Sequence, residues 1–187
     1  MDEIVISAMS FILEKDLTNI DFVHRDLRVM DYFTQMAVIA VDQLLKNAKS
    51  ENDVHERTGM ILTTNTGPFS SVRELNMQVK EKGHIGINPS KFPNIMLSTS
   101  LSRAASTFQI KGPTVAKYHR GSIAQAILYA SIQITKGSSD RVIVLKVDEG
   151  YAGFGLLVEK EKTAMERGVT ARFRLIDRYK GYTRNGR

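Results

Sequence analysis

Apolar and polar residues alternate along this chain in blocks whose spacing predicts a regular succession of strands and helices. Short apolar runs bounded by turn residues are typical of buried strands, whereas apolar residues that recur every three or four positions are typical of helices. The strand pattern fits six segments, at residues 3–10, 59–65, 114–119, 141–147, 153–161 and 169–179.

Helical periodicity occupies the segments between these strands. Asp31 precedes an amphipathic helix, and Ser70 or Ser71 caps the helix that follows it. Because strands alternate with helices, we predict an α/β fold with a mostly parallel sheet of about five strands and helices on both faces. The predicted helices lie at residues 32–48, 70–83, 95–108, 121–137 and 162–168.

The segment 112–137, GPTVAKYHRGSIAQAILYASIQITKG, joins a strand at 114–119 to a helix that we predict to be buried. The helix opens at Gly121 and Ser122, and Gln125 lies three residues after the serine, which is the spacing of a capping box. The first helical turn leaves amide protons unpaired and carries the positive end of the helix dipole. Such a turn can activate a nucleophile or hold an anion, although an ordinary helix cap accounts for the same residues.

The composition is that of one soluble globular domain, which we take as residues 1–187. The chain has no cysteine, which excludes disulfides, a thiolate nucleophile and cysteine-ligated metal sites, and favours a cytoplasmic protein. Acidic Asp2 and Glu3 precede the first apolar run, so no signal peptide is predicted. No apolar stretch reaches the length of about 18 residues that a membrane span needs, and no cofactor is predicted.

A formal net charge of +6 favours an acidic partner. The basic residues are spread along the chain apart from a tail between Arg172 and Arg187, and no nucleic-acid-binding motif accompanies them. We therefore predict no nucleic-acid partner. An acidic carrier protein or a phosphorylated cofactor fits the same charge.

Six segments, taken in order, resemble one protein family. In order and spacing they are similar to the amino-terminal half of a β-ketoacyl-acyl carrier protein synthase, or ketosynthase. The resemblance covers nearly the whole chain and implies the thiolase fold. The segments are IVISAM at 4–9, MDYFTQ at 30–35, TTNTGPFSSV at 63–72, NPSKFPN at 88–94, KGSSDRVIVLKVDE at 136–149 and GFGLLVEKEKTAMERGVTARFRLIDRY at 153–179.

The resemblance also implies where a nucleophile belongs. The family's catalytic cysteine lies at the entry to the central helix, a position that falls here on Arg120 or Gly121, and neither side chain is a nucleophile. The family's other catalytic groups, two histidines or a histidine and an asparagine, belong to its carboxy-terminal half, which this sequence does not reach. We therefore predict no catalytic residue and no condensing activity.

Other functions stay open for particular residues. Ser122 with His119 as its base would make an acyl transferase or a thioesterase. The same helix start would hold a phosphate in an acyl-CoA-binding or lipid-binding protein. Residues 67–68 and 92–94 fit either an acyl pocket or ordinary turns, and the acidic pair at 148–149 fits either a metal site or a solvated turn.

The predicted function is that of a non-catalytic, ketosynthase-like subunit in fatty-acid or polyketide-type biosynthesis. The resemblance implies a dimer in which the strand before the central helix pairs antiparallel across a two-fold axis. The partner is a second copy, a ketosynthase-type chain or a chain that supplies the carboxy-terminal half, and acyl carrier protein is a further partner. The seam of the dimer consists of Thr114, Val115, Ala116, Lys117, Tyr118 and His119.

Overall fold

The computed structural model describes the chain at residues 3–19, 27–51, 53, 55–83, 86–118 and 123–175. Its strands are β1 (Ile4–Leu13), β2 (Thr58–Thr64), β3 (Thr114–Tyr118), β4 (Arg141–Asp148), β5 (Ala152–Lys160) and β6 (Phe173–Arg174). Its α-helices are α1 (Tyr32–Asn47), α2 (Phe69–Lys82), α3 (Leu97–Thr107), α4 (Ala124–Thr135) and α5 (Glu161–Glu166). Short 3₁₀ helices occupy Glu14–Asn19, Leu27–Val29 and Pro89–Ile95.

The six strands form one sheet in the order β3-β2-β4-β5-β1-β6. Strand β2 pairs in parallel with both β3 and β4, whereas β5 runs antiparallel to β4 and to β1, and β6 runs antiparallel to β1. Strands β1 to β4 therefore all run in one direction, and β5 and β6 run the opposite way. The predicted α/β class with a mostly parallel sheet is confirmed, with six strands in place of about five.

Helices cover both faces of the sheet, as predicted. Helices α1 and α3 pack on one face, against residues such as Met60, Leu62 and Leu145, and we call it the α1 face. Helix α4 packs on the other face, against residues such as Ile61 and Val144, and we call it the α4 face. Neighbouring residues of one strand thus belong to different clusters, which is the alternation expected of a strand buried on both sides.

Gly112 sets the close approach of β3 to β2. Its amide donates a hydrogen bond to the Thr58 carbonyl at 3.0 Å. A Cβ atom at Gly112 would lie 2.5 Å from that carbonyl oxygen, so only glycine allows the two backbones to come this close. Pro113 follows and opens the strand.

Several predicted boundaries need correction. Helix α2 begins at Phe69 after Pro68, not at a serine cap. The predicted helix at 95–108 is preceded by a 3₁₀ helix at Pro89–Ile95 and begins only at Leu97. The predicted strand over 169–179 is reduced to Phe173–Arg174 within the described residues. The carboxy-terminal stretch from residue 176 lies outside the described residues.

The central helix is the largest departure from expectation. Only four of the twelve residues of α4 are buried, namely Ala126, Ala130, Gln133 and Ile134. Its outward positions are nevertheless apolar, and Tyr129 keeps 43% of its surface exposed. The prediction of a buried helix is therefore wrong for this helix in the isolated chain, since only one side of it packs on the sheet.

Candidate functional site

The predicted nucleophile position lies between β3 and α4 in the sequence. It follows the carboxyl end of β3, which is parallel to β2 and β4. Parallel strands bring the residues that follow their carboxyl ends together, which is where α/β proteins bind ligands. His119, Arg120, Gly121 and Ser122 lie outside the described residues. The proposed base, nucleophile and nucleophile position therefore stay predictions.

The start of α4 adjoins residues 119–122, which lie outside the described residues. The helix begins at Ala124, with Ile123 as its N-cap residue and no side-chain hydrogen bond at the cap. The predicted opening at Gly121 and Ser122, with Gln125 closing the capping box, falls on residues 119–122 and stays a prediction.

Tyr118 and Gly67 meet at the same edge of the sheet. Gly67 has a φ of +62°, and a Cβ atom there would collide with the ring and hydroxyl of Tyr118. Glycine is therefore required both by the left-handed backbone and by the tyrosine. The predicted turn at 66–68 is confirmed, and it lies against the last residue of β3.

Asp148 ties the ends of β2 and β4 together. Its Oδ1 accepts hydrogen bonds from the backbone amides of Asn65 and Thr66 and from Thr64 Oγ1, while its Oδ2 accepts one from Asn65 Nδ2. Within the described part of the chain, no group of three or more His, Asp or Glu residues is arranged to hold a metal ion. The aspartate of the acidic pair thus acts in the link between two strands.

Glu149, the second acid of the pair, connects this edge to α2 and α1. Its Oε2 accepts a hydrogen bond from the Ser70 amide, and its own amide donates to Thr66 Oγ1. Burial raises the pKa of Asp31 above its usual value of 3.8, despite the hydrogen bond that the Thr34 hydroxyl donates to it, and the charge of Glu149 adds to the rise. The half-buried carboxyl of Asp31 and the buried carboxyl of Glu149 therefore interact electrostatically near the start of α1.

The predicted dimer seam coincides with an edge strand. Strand β3 pairs with β2 on one side, and no other strand of the described residues pairs with its outer side. The Met60 amide donates to the Pro113 carbonyl at 3.0 Å, which fixes the phase of the parallel ladder. Val115 and Lys117 then direct their backbone groups at β2, and Thr114, Ala116 and Tyr118 direct theirs outward.

The sequence analysis missed a buried polar network at the end of the sheet where β2 and β4 begin. Arg141 donates to Asp53 at 2.7 Å, to Ser50 Oγ at 2.8 Å and to Thr58 Oγ1 at 3.0 Å. Burial alone would raise the pKa of Asp53, but hydrogen bonds from Ser50 and Arg141 and the arginine charge hold that pKa below its usual value. Nearly ninety residues separate the acid from the arginine in sequence, so no local pattern reveals the pair.

His55 belongs to the same network, and its Nδ1 lies 3.2 Å from Thr58 Oγ1. Burial lowers the pKa of His55, and the charge of Arg141 lowers it further. A cavity of about 350 Å³ opens beside it, lined by Glu51, Glu56, Phe108 and Lys111 among others. These residues precede β2 and β3, so the cavity lies at the end of the sheet where the two strands begin. The predicted nucleophile position follows the other end of β3.

Comparison with known proteins identifies one family. A family model described as β-ketoacyl synthase, N-terminal domain, matches residues 7–165. A search of the curated proteins found no match. Within the described residues, no helix combines the length and the apolar character that a membrane crossing requires.

Three solved structures share the fold at low sequence identity. The AntDE:AntF complex, a type II PKS acyl-carrier protein in complex with its ketosynthase bound to the hexaketide, matches with 14% identity and a TM-score of 0.71 over 90% of this chain and 65% of that chain. The ishigamide ketosynthase/chain length factor matches with 17% identity and a TM-score of 0.70 over 86% of this chain and 63% of that chain.

The third structure is a β-ketoacyl synthase from Burkholderia phymatum STM815, with 15% identity and a TM-score of 0.72 over 91% of this chain and 62% of that chain. The chain thus spans less than two thirds of the length of each of the three. The three similarities establish a shared fold.

Proposed function

Because the chain belongs to the β-ketoacyl synthase N-terminal domain family, we propose that it is a non-catalytic ketosynthase-like subunit that pairs with a second chain through β3. The observation that carries the proposal is the free outer edge of a half-buried strand. An edge strand exposes unpaired amide and carbonyl groups, and proteins cover such an edge or pair it. Strand β3 pairs with only one neighbour among the described strands.

The phase of the ladder limits the register of the pairing, and we place the two-fold axis at the middle residue of the strand. Backbone groups of Thr114, Ala116 and Tyr118 point outward, and Ala116 is the middle residue of the strand. A two-fold axis at Ala116 pairs this residue with its own copy and pairs Thr114 with the copy's Tyr118. The symmetric register favours a second copy of the chain as the partner, with a ketosynthase-type chain as the alternative.

Substitution of Ala116 by proline tests the seam. Proline removes an outward amide donor, leaves the bonds to β2 in place and is tolerated on edge strands. We expect light scattering at micromolar concentration to give a dimer for the wild type and a folded monomer for Ala116→Pro. Ala116→Ser keeps the amide and serves as the matched control, which is expected to stay dimeric. A monomeric wild type, or a folded and dimeric Ala116→Pro variant, contradicts the proposal.

The absence of condensing activity follows from the missing thiolate. The sequence contains no cysteine, and the nucleophile position falls on Arg120 or Gly121. We expect the purified chain to release no carbon dioxide from malonyl-carrier protein with an acyl primer, in an assay in which a complete ketosynthase gives a clear signal. Turnover that scales with the amount of this chain contradicts a non-catalytic role.

Acyl carrier protein is the partner that we propose beyond the dimer. A ketosynthase of the same fold is known in complex with an acyl-carrier protein. The formal charge of +6 on this chain suits an acidic partner, and opposite charges accelerate encounter and lose their effect in salt. We expect calorimetric titration with an acyl carrier protein to show binding that weakens as salt is raised. Binding that does not change with salt contradicts this part of the proposal.

A further inference from the structure

The buried imidazole ring of His55 has one nitrogen with a polar neighbour and one without. His55 is 4% exposed, and its Nδ1 lies 3.2 Å from Thr58 Oγ1, which also accepts a hydrogen bond from Arg141 Nε at 3.0 Å. The Nε2 atom of His55 is buried and has no hydrogen-bond partner within the described residues. A neutral imidazole carries one N–H, and we assign it to Nδ1, so that Nε2 needs no acceptor.

A second proton on the ring has no acceptor in this position. An imidazolium ring carries two N–H donors, and a buried charged donor without an acceptor is costly. Arg141 of β4 and Arg167, which follows α5, place two positive charges near the ring. The carboxylate of Asp53 is already bound by Arg141 at 2.7 Å and by Ser50 Oγ at 2.5 Å. The folded protein therefore resists protonation of His55 where the ring lies, in agreement with its lowered pKa.

The cavity beside His55 offers both space and an acceptor. Its volume is about 350 Å³, whereas a water molecule takes about 30 Å³ in the liquid, so the cavity has room for a side-chain ring. The charged groups that line it are the carboxylates of Glu51, Asp53 and Glu56 and the ammonium of Lys111. Lys111 pairs with Glu56. Glu51 is exposed and makes no hydrogen bond or ion pair within the described part of the chain, so its carboxylate is available to a cation.

We propose that His55 is a proton-operated switch, whose ring lies against Thr58 when it is neutral and turns into the cavity when it takes up a proton. In the cavity the carboxylate of Glu51 accepts a hydrogen bond from the imidazolium ring. The ring thus leaves a site beside two arginines for a site beside an unpaired carboxylate, where a charge-assisted hydrogen bond forms. Arg141 keeps its hydrogen bonds to Asp53 and Thr58, so the rest of the network stays in place.

The switch changes the surface next to the segment that leads into β3. The His55 carbonyl accepts a hydrogen bond from the Lys111 amide at 3.1 Å, and the Thr58 carbonyl accepts one from the Gly112 amide at 3.0 Å. Above the pKa of His55 the cavity beside this segment is open and carries the free charge of Glu51. Below that pKa the ring fills part of the cavity and neutralises this charge. Acid therefore makes the surface at this end of the sheet less concave and less negative.

The experiment follows the His55 ring by nuclear magnetic resonance from neutral into acidic pH, with its signal assigned by its loss in His55→Gln. We expect Overhauser contacts of the ring with the Thr58 methyl group above the titration midpoint, and contacts with the ring of Phe108, which lines the cavity, below it. Glu51→Gln keeps the side-chain size and removes the charge, so it should lower the midpoint by a few tenths of a pH unit. Glu81→Gln, at an exposed acid of α2 outside the cavity lining, is the matched control and should keep the wild-type midpoint.

Three outcomes overturn the proposal. The first is a protonated ring that keeps its contacts with Thr58 and gains none with Phe108. The second is the same midpoint in the wild type and in Glu51→Gln, and the third is unfolding in acid, seen by circular dichroism, before His55 titrates. The inference does not depend on pairing through β3, because no residue of the switch belongs to that strand, and a monomeric wild type gives the same test.

Discussion

The two faces of the sheet are covered by helices of different kinds. Helix α1 has eleven buried residues out of sixteen, and it packs against both the sheet and α3. Helix α4 is also rich in apolar residues, yet four of its twelve residues are buried. An apolar helix sequence therefore predicts that a helix has apolar partners, and it does not say whether those partners belong to the same chain.

The two faces also differ in the partners of their charged residues. On the α1 face, Arg141 is held by Asp53, Ser50 and Thr58, and all three contacts are within hydrogen-bond distance. On the α4 face, Lys146 has a carboxylate 3.3 Å away and no hydrogen-bond partner within the described residues. Arg141 is thus paired with one carboxylate and two hydroxyl groups, whereas Lys146 has the carboxylate of Asp148 alone within ion-pair distance among the described residues.

The largest expected effect contrasts an aromatic residue on each helix. Phe33 on α1 is fully buried and Tyr129 on α4 is 43% exposed. We expect Phe33→Ala to lower the free energy of unfolding by about 3–5 kcal/mol, the usual cost of such a cavity. Tyr129→Ala should lower it by less than about 1 kcal/mol. Urea denaturation followed by circular dichroism measures both, and similar losses for the two variants would remove the distinction between the faces.

A sharper contrast uses two isoleucines of α4 itself. Ile134 is 2% exposed against the sheet, whereas Ile132 is half-buried. Ile134→Ala should cost about 2–5 kcal/mol of stability, and Ile132→Ala should cost clearly less because part of its side chain is already in water. The same denaturation measurement applies. An equal or larger loss for Ile132→Ala would show that the outer side of α4 is packed.

Lowering the pH should reduce the stability of the folded protein through His55. The pKa of His55 in the folded protein is below the usual value of 6.5. Between these two pKa values the unfolded chain binds a proton that the folded chain does not bind. The stability contributed by neutral His55 is present above pH 6.5 and is lost as pH falls through the folded pKa. His55→Gln removes this titration. We expect the melting temperature of the wild type to fall more steeply than that of His55→Gln below pH 6.5, and parallel curves would contradict this.

The smallest expected effect concerns the ends of α1 and α3. Lys49 and Gln109 follow these helices with φ of 51° and 53°, and the amides of Ser50 and Ile110 bond back to the carbonyls of Leu45 and Ala105. This is the Schellman arrangement, in which glycine is preferred. Lys49→Gly and Gln109→Gly are each expected to raise the free energy of unfolding by about 0.5–1 kcal/mol, measured by thermal denaturation. Lys80→Gly, inside α2, is the control and should destabilise.

The sequence predicted β2 to β5 to within one residue at each end, because each is a short apolar run with turn residues at its ends. Strand β4 was predicted at 141–147 and is observed at Arg141–Asp148, and β3 was predicted at 114–119 and is observed at Thr114–Tyr118. The antiparallel direction of β5 was not foreseen. Only three residues separate β5 from β4, which is too few for a crossover to a parallel strand. The length of this loop therefore indicates an antiparallel pair.

The candidate site was predictable only in part. The dimer seam expected from the family resemblance stays a prediction, and the strand order that places β3 at the edge of the described sheet is a property of long-range pairing. The pair of Arg141 and Asp53 has the same origin, since the two residues lie far apart in sequence and meet where β2 and β4 begin. Side-chain periodicity assigns residues to faces and leaves their neighbours on other strands undetermined.

Hydrogen exchange of the β3 amides tests the pairing through β3 most directly. In the assembled protein we expect the outward amides of Thr114, Ala116 and Tyr118 to be protected as strongly as the inward amides of Val115 and Lys117, when followed by nuclear magnetic resonance. In the folded Ala116→Pro monomer, Thr114 and Tyr118 should exchange rapidly while the inward amides stay protected. Rapid exchange of all three outward amides in the wild-type assembly would contradict pairing through β3.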